Sequence, residues 1–303
     1  MIIIETKLKI KKHIWNNYDN GQFDYSSCRV CYSFKKKNEE LEMCISILSK
    51  EYNEEICPIF TEIVDFLYLA CGTMPYIIYY KENNVEKDLS NLACRYFPSK
   101  RFFTNNHLID INNSTLNENT LINIKNIIRN KPFEIFWAFT SLTSQSYAEI
   151  YEEHKITLLL QCFDGYIYNK DIKYQQSAVT FKDRLSIIVN ILFEYEKKYN
   201  TEILKTLNIN ENIYLEKLTN TRHQFSHYII KNNTLNSGED YIFNFVVLHF
   251  IFRIYILREI RLIPKEDNIK EFLNSEYDRI NSSKNSGFKD YKSVAYRMKR
   301  IFN

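Results

Sequence analysis

Glycine and proline are scarce in this sequence. The 303 residues include only 5 Gly and 5 Pro, whereas these two residues together make up about one residue in eight of an average protein. Neither G-x-G-x-x-G nor G-x-x-x-x-G-K-[ST] occurs, so the glycine-lined loops that cradle nucleotide phosphates are excluded. Sandwich and propeller folds need a turn every few residues and are therefore disfavoured. The shortage favours a protein built from long helices.

Signals for secretion and membrane insertion are also lacking. The apolar run at residues 2–4 is too short for the hydrophobic core of a signal peptide. The most apolar window, residues 241–257, is interrupted by Asn244, His249 and Arg253, which favours a buried helix over a membrane span. Seven Cys without a secretory signal indicate reduced thiols. We therefore expect a cytoplasmic protein with no membrane partner, in which His249 is a hydrogen-bonded core residue.

Motifs for metal binding and for common hydrolases are missing as well. The sequence has no H-E-x-x-H, no G-x-S-x-G and no Asp-rich calcium loop. Cys28 and Cys31 have the spacing of half a zinc site, but no second close pair follows and the segment around them has the pattern of a strand. Both are interpreted as small buried hydrophobic residues. We expect no metal and no cofactor.

The composition is that of a folded protein, with 45% hydrophobic residues, 15% aromatic residues and a net charge of +3. The first 113 residues of the chain contain both helix and strand patterns. Apolar residues at helical spacing between residues 54 and 70 predict a helix that ends at Gly72. Strand patterns occur at residues 7–11, typical of a half-exposed edge strand, and at residues 23–34 and 75–80. The polar, turn-prone stretch at residues 112–119 predicts a domain boundary.

Helical patterns dominate after that boundary. Helices are predicted at residues 133–144, 147–167, 181–199, 211–230, 239–261 and 266–280. Thr180 and Asp183 form the pattern of a capping box at the start of the third helix, and we expect Asp183 and Arg184 to be solvated. The predicted fold class is α+β, with a mixed N-terminal domain at residues 1–113 and an all-α bundle at residues 114–280.

A basic C-terminal segment follows at residues 281–303. It contains six Lys or Arg and one Asp, so its charge of +5 exceeds the +3 of the whole chain. Such a segment either contacts phosphates, a membrane surface or a partner, or packs its apolar stripe on the protein body.

The strongest chemical signal is an Arg and two His within one predicted helix. Arg222, His223 and His227 belong to the string TRHQFSHY at residues 221–228. Arg is a permanently charged donor that can hold a scissile phosphate. His titrates near neutral pH and can move a proton to or from a ribose oxygen. An Arg and His pair is therefore suited to phosphodiester chemistry without a metal.

The spacing of this pair limits how it can act. Five residues on a straight helix correspond to about 140° of rotation and about 7.5 Å of rise. Only long side chains converge over this offset, unless the site forms across a dimer or at a frayed helix end. The spacing is common by chance, so a surface Arg222 and a hydrogen-bonded His227 are the alternative interpretation.

The string TRHQFSHY resembles the Arg-x4-6-His motif of HEPN-domain ribonucleases. More specifically, the chain resembles the ApeA-like HEPN proteins of bacterial anti-phage defence. Residues 58–80 resemble the N-terminal helix and following strand of that family, residues 156–166 its first HEPN core helix, and residues 213–228 the helix that carries the motif. The family's first core helix ends in a Leu-Glu pair, where this chain has Phe163-Asp164.

This resemblance implies a metal-independent endoribonuclease that cleaves RNA by attack of the 2′-hydroxyl and acts by abortive infection. It implies that Arg222 contacts the phosphate and that His227 is the acid/base. His223 stands where the family often has Asn, and it either replaces the amide as a donor or has no role. Asp164 either orients the Arg or caps local structure. Ser226 and Tyr228 are further supporting candidates.

The resemblance also implies partners. The substrate would be host or phage RNA, with tRNA as one candidate, and the active form a homodimer. The N-terminal domain would sense a phage-derived trigger protein or restrain the nuclease. The rival hypothesis is a non-catalytic dimerising scaffold that binds RNA, nucleotide or a partner protein, in which Arg222 and His227 are buried in ordinary hydrogen bonds.

Overall fold

The fold is taken from a computed structural model of the chain. It describes residues 2–8, 18–37, 40–49, 56–72, 76–83, 85–87, 107–129, 133–143, 151–201, 210–227, 231–235 and 238–285. These residues combine an antiparallel sheet near the N-terminus, with one helix between its fourth and fifth strands, and a series of helices after it. The predicted α+β class is confirmed.

The sheet contains six strands within the described residues, in the spatial order β2-β3-β4-β1-β5-β6. Every pairing between neighbours is antiparallel. One face of β4 is fully buried through Leu41, Met43, Ile45 and Ile47, as the two-residue period of a strand requires. The strands are β1 (Ile2–Leu8), β2 (Gly21–Tyr25), β3 (Cys28–Lys37), β4 (Glu40–Ser49), β5 (Tyr76–Glu82) and β6 (Val85–Lys87).

Two strand predictions need correction. Strand β1 pairs with β4 on one side and β5 on the other, so it is an interior strand and not an edge; residues 9–11 lie outside the described residues. Alternating polarity reports which face of a strand is solvated, but not whether its two edges are paired. The single strand predicted at residues 23–34 is a hairpin, because Ser26 adopts a positive φ of 54° and reverses the chain. Within it, Cys28 is buried but Cys31 is partly exposed.

Helix α1 (Ile56–Cys71) ends as predicted. The backbone N–H of Gly72 donates to the carbonyl of Tyr68 at 2.7 Å, and Gly72 has a φ of 79°. This is the left-handed conformation that glycine adopts most readily at the end of a helix. Helix α1 packs against α2 (Glu118–Ile124), which continues into a π-helical turn at Lys125–Arg129.

The remaining helices are α3 (Phe133–Ser141), α4 (Glu152–Lys170), α5 (Phe181–Tyr199), α6 (Glu211–His227), α7 (Gly238–Glu259) and α8 (Glu266–Asn285). Helix α4 packs against α3, α5 and α6, and α5 also packs against α6 and α8. Helix α4 thus lies among several packed helices, and the candidate site is arranged around it.

Helix α7 is long and apolar. By length and composition alone its segment Tyr241–Glu259 could span a membrane, but 78% of that stretch is buried inside the protein. Phe252, near its middle, contacts Phe139, Phe163 and Tyr166 through their rings. The prediction of a buried helix is confirmed.

The chain divides into two compact units. The first contains residues 1–130, 143–145 and 257–263, and the second contains residues 131–142, 146–256 and 264–303. The sheet, α1 and α2 belong to the first unit, and α3 to α6 to the second. Most of the predicted basic segment, residues 286–303, lies outside the described residues.

Candidate active site

Arg222 and His227 approach each other near the end of α6. The Nη1 atom of Arg222 lies 3.4 Å from Nε2 of His227. Both residues belong to the last turns of the helix, where the rotation between positions five apart would separate short side chains. The long Arg222 side chain spans this offset, so one chain brings the two groups together. His227 is exposed, which leaves its imidazole accessible to a ligand.

The guanidinium of Arg222 is enclosed but loosely bound. Only 19% of its side chain is exposed, and its nearest carboxylate contact is Asp164 Oδ2, 3.7 Å from Nη2. Its carbon Cζ lies 5.0 Å from the centre of the Phe181 ring, a cation–π contact. Its Nε is buried and has no hydrogen-bond partner among the described residues. A buried donor without a hydrogen-bond partner costs free energy. An anion bound to Arg222 would accept a hydrogen bond from this donor and remove that cost.

Asp164 lies on α4 and joins Arg222 to a second arginine. Its Oδ1 accepts a hydrogen bond from Nε of Arg184 at 2.6 Å, while its Oδ2 is the atom that faces Arg222. Arg184 is 12% exposed, so the prediction that it is solvated is wrong; Asp183 is exposed as expected. Sequence reasoning missed Arg184 because its partner lies 20 positions earlier, on another helix.

Arg184 is fixed by further contacts. Its Nη1 donates to the carbonyl of Val179 at 2.8 Å and to that of Tyr174 at 3.3 Å. Its guanidinium also lies 5.4 Å from the centre of the Tyr168 ring. These contacts tie the connector between α4 and α5 to the first turn of α5. The turn itself is set by the predicted capping box of Thr180 and Asp183, which the structure confirms.

His223 packs beside the pair. Its ring stacks on His227 at a centroid distance of 5.7 Å and an interplanar angle of 28°, and it meets the Phe181 ring edge-on at 6.3 Å. Burial lowers the pKa of His223 below its ordinary value of 6.5, and the nearby charges of Arg222, His227 and Lys231 lower it further. His223 is therefore a neutral imidazole at neutral pH, with one N–H donor and one acceptor nitrogen.

The remaining predicted site residues have different surroundings. Ser226 accepts a hydrogen bond from Nε2 of Gln161 at 3.0 Å, which links α6 to α4 one turn away from the Asp164 contact. Tyr228 lies outside the described residues. His249 is a core residue, as predicted: it is buried and stacks on Phe139 at a centroid distance of 4.6 Å.

The end of α6 is held by the chain that follows it. Thr221 is fully buried; its hydroxyl donates to the carbonyl of Lys217 at 2.8 Å and accepts from the N–H of Leu235 at 3.0 Å. Asn220 donates to the carbonyl of Asn232 at 2.9 Å. These bonds fold the connector at residues 231–235 back onto the helix at Asn220 and Thr221, the two residues that precede Arg222 in the chain.

The charges around Arg222 favour an anion. Arg222 and Arg184 carry two positive charges and Asp164 one negative charge, and His223 is neutral. The described residues hold no group of three or more His, Cys, Asp and Glu that could bind a metal ion. The arrangement can hold a phosphate on Arg222 while His227 exchanges a proton with an adjacent oxygen.

Comparison with protein families places this site in a known domain. The family model described as Apea-like HEPN matches residues 133–266, which run from the start of α3 to the first residue of α8. Asp164, Arg184, Arg222 and His227 all lie inside the matched region. Curated proteins and solved structures give no significant match to the chain. Residues 133–266 of this chain are thus an Apea-like HEPN domain, the type of HEPN domain that belongs to anti-phage defence.

Proposed function

We propose that this protein is a metal-independent endoribonuclease of bacterial anti-phage defence. The observation that carries the proposal is the approach of Arg222 Nη1 to His227 Nε2 at 3.4 Å, on the exposed end of a helix inside an Apea-like HEPN domain. The buried, unpartnered Nε of Arg222 supports it, because a bound phosphate would satisfy that donor.

The proposed reaction is transfer of the scissile phosphate within the RNA. Arg222 binds the phosphate and stabilises the negative charge that grows on its oxygens. His227 removes the proton from the 2′-hydroxyl, whose oxygen attacks phosphorus, and the His227 imidazolium formed in this way supplies that proton to the departing 5′-oxygen. The bond from phosphorus to the 5′-oxygen breaks, so the products are a 2′,3′-cyclic phosphate and a 5′-hydroxyl. No cofactor enters this scheme.

The biological setting of the proposal follows from the domain type. The enzyme would act in the cytoplasm as a homodimer, and it would halt infection by cutting host or phage RNA, with tRNA as one candidate. The N-terminal region would sense a phage-derived trigger protein or restrain the nuclease. A homodimer would also place a second His227 at the disposal of the reaction.

Loss of either side chain tests the proposal. Because positioned acid/base groups and phosphate donors contribute factors of about 100 or more, Arg222→Ala and His227→Ala should each lower RNA cleavage in EDTA at least about 100-fold. Cleavage is measured on a labelled single-stranded oligoribonucleotide, and the cyclic phosphate end is identified by mass spectrometry.

Two exposed residues of the same types provide matched controls. Arg258→Ala and His154→Ala remove an exposed Arg and an exposed His, and both variants should cut RNA like the wild type. If Arg222→Ala and His227→Ala also cut like the wild type, the site assignment is wrong. If neither the wild type nor any variant cuts RNA but all of them bind it, the scaffold hypothesis is supported instead.

A further inference from the structure

We infer that Arg184 is a positioning residue that occupies Asp164 and thereby keeps Arg222 available for the phosphate; this inference rests on the proposed nuclease function. The carboxylate of Asp164 faces two guanidinium groups at unequal distances. Arg184 Nε lies 2.6 Å from Oδ1, which is a short charge-assisted hydrogen bond. Arg222 Nη2 lies 3.7 Å from Oδ2, beyond hydrogen-bond range.

The unequal distances from Asp164 to the two arginines determine how tightly Asp164 binds Arg222. A carboxylate with both oxygens free pairs with an arginine through two parallel hydrogen bonds, and that pair is among the strongest in proteins. Asp164 and Arg222 are close enough to form it with a small shift of either side chain. Because Arg184 holds Oδ1, the carboxylate makes only a loose contact with Arg222, whose Nε stays without a partner among the described residues.

Arg184 is fixed well enough to act in this way. Its Nη1 is anchored on the carbonyls of Tyr174 and Val179, and its guanidinium lies beside the Tyr168 ring. It therefore stays at Asp164 whether or not Arg222 binds a ligand.

The same arrangement sets the charge of the cluster. With Arg184 present, two arginines and one aspartate leave one net positive charge next to His227. Without Arg184, Asp164 and Arg222 neutralise each other, and the electrostatic attraction for a phosphate is lost. Arg184 thus contributes to phosphate binding without touching the substrate.

A double-mutant cycle in the full-length protein tests this role. Arg184→Gln should lower kcat/KM for RNA about 30-fold, as expected when a charged group is captured by a misplaced partner. In an Asp164→Asn background no carboxylate remains to capture Arg222. There, adding Arg184→Gln should change kcat/KM by less than about threefold. Lys182→Gln removes an exposed charge from the same turn of α5 and is the matched control, expected to resemble the wild type.

The cycle separates positioning from a merely structural role. Arg184→Gln loses the contacts to the connector carbonyls in both backgrounds, so a structural role predicts the same loss of activity in both. Thermal unfolding of all four proteins records that structural cost separately. If the 30-fold loss persists in the Asp164→Asn background, or if Arg184→Gln cuts RNA like the wild type, the inference is wrong.

A 2′-O-methyl oligoribonucleotide distinguishes failure of this inference from failure of the proposed function. It offers phosphates but no attacking hydroxyl, so its affinity reports the anion site alone. If the wild type binds it without cutting RNA, and Arg184→Gln weakens binding only when Asp164 is present, the nuclease proposal fails and the role of Arg184 stands. If the wild type neither cuts RNA nor binds the analogue, both are overturned.

Discussion

Nη1 of Arg222 and Nε2 of His227 lie 3.4 Å apart within a single chain. The two residues are separated by more than one helical turn, and the long side chain of Arg222 spans that distance. A second copy of the chain is therefore not needed to bring an Arg and a His together. This distinguishes a site complete in each chain from one whose Arg and His come from different subunits.

Mixing two inactive variants tests this distinction. We expect that Arg222→Ala and His227→Ala proteins, unfolded together and refolded to exchange subunits, stay inactive, because no chain carries both residues. A site shared between subunits would instead regain about a quarter of wild-type activity in a symmetric dimer, where half the dimers are mixed and each has one intact site. The measurement is RNA cleavage by the mixture, with light scattering to verify that subunits associate.

Local sequence rules predicted the framework of this site well. Helix α5 has the predicted bounds, Phe181–Tyr199, because its start is set by the capping box of Thr180 and Asp183 and its end by Asn200 in a left-handed conformation. The sequence also placed Arg222 and Asp164 on separate helices of one bundle. Such features depend on neighbours within a few residues, which a single sequence displays.

Those local rules could not predict the contacts between helices. Arg184 has the position of a solvated residue at the start of a helix, yet it binds Asp164 on α4. Phe181, one turn before it, lies against Arg222 on α6. The two residues share a face of α5, and only the packing of α5 against α4 and α6 shows what that face meets. The pairing of both edges of β1 was hidden for the same reason.

Replacement of His223 by Asn should preserve activity. Burial and adjacent positive charges lower the pKa of His223, so at neutral pH it offers a neutral donor and acceptor, as an amide does. We expect His223→Asn to keep kcat/KM for RNA within about threefold of the wild type, the effect of exchanging one neutral hydrogen-bonding group for another.

His223→Leu serves as the contrast, because it keeps bulk but removes both hydrogen-bonding nitrogens. If the leucine variant is as active as the asparagine variant, His223 makes no polar contact in the reaction. A large loss in His223→Asn would mean that the imidazole itself is required.

The buried His249 should make stability depend on pH. Burial holds its folded-state pKa well below the ordinary value of 6.5, and the charge of Arg253 adds to this. The unfolded chain then binds the proton more readily than the folded chain, so stability rises with pH. The stability that folding gains from keeping His249 neutral is fully present above about pH 6.5 and is lost as the pH falls toward the folded-state pKa.

Urea unfolding at a series of pH values checks the sign. The free energy of unfolding of the wild type should decrease as the pH is lowered below 6.5, and His249→Gln should show a shallower decrease, whatever its stability at high pH. An equal slope in both proteins would show that His249 is not the group responsible.

Two glycines should respond in opposite ways to an added methyl group. A Cβ at Gly21 would collide with the Asn113 side chain and with the Tyr32 hydroxyl, two groups that are hydrogen-bonded to each other at 3.3 Å. Gly21→Ala should therefore lower the free energy of unfolding by about 2 kcal/mol, as overpacking against fixed neighbours does.

At Gly165, in the interior of α4, the added Cβ would be too close only to the terminal methyl of Ile135, at 2.9 Å, and this methyl can rotate away. Because alanine also favours a helix by about 0.5–1 kcal/mol over glycine, Gly165→Ala should leave stability unchanged or slightly higher. Urea unfolding of both variants decides the matter, and a destabilised Gly165→Ala would mean that Ile135 has no room to move beside Asp164.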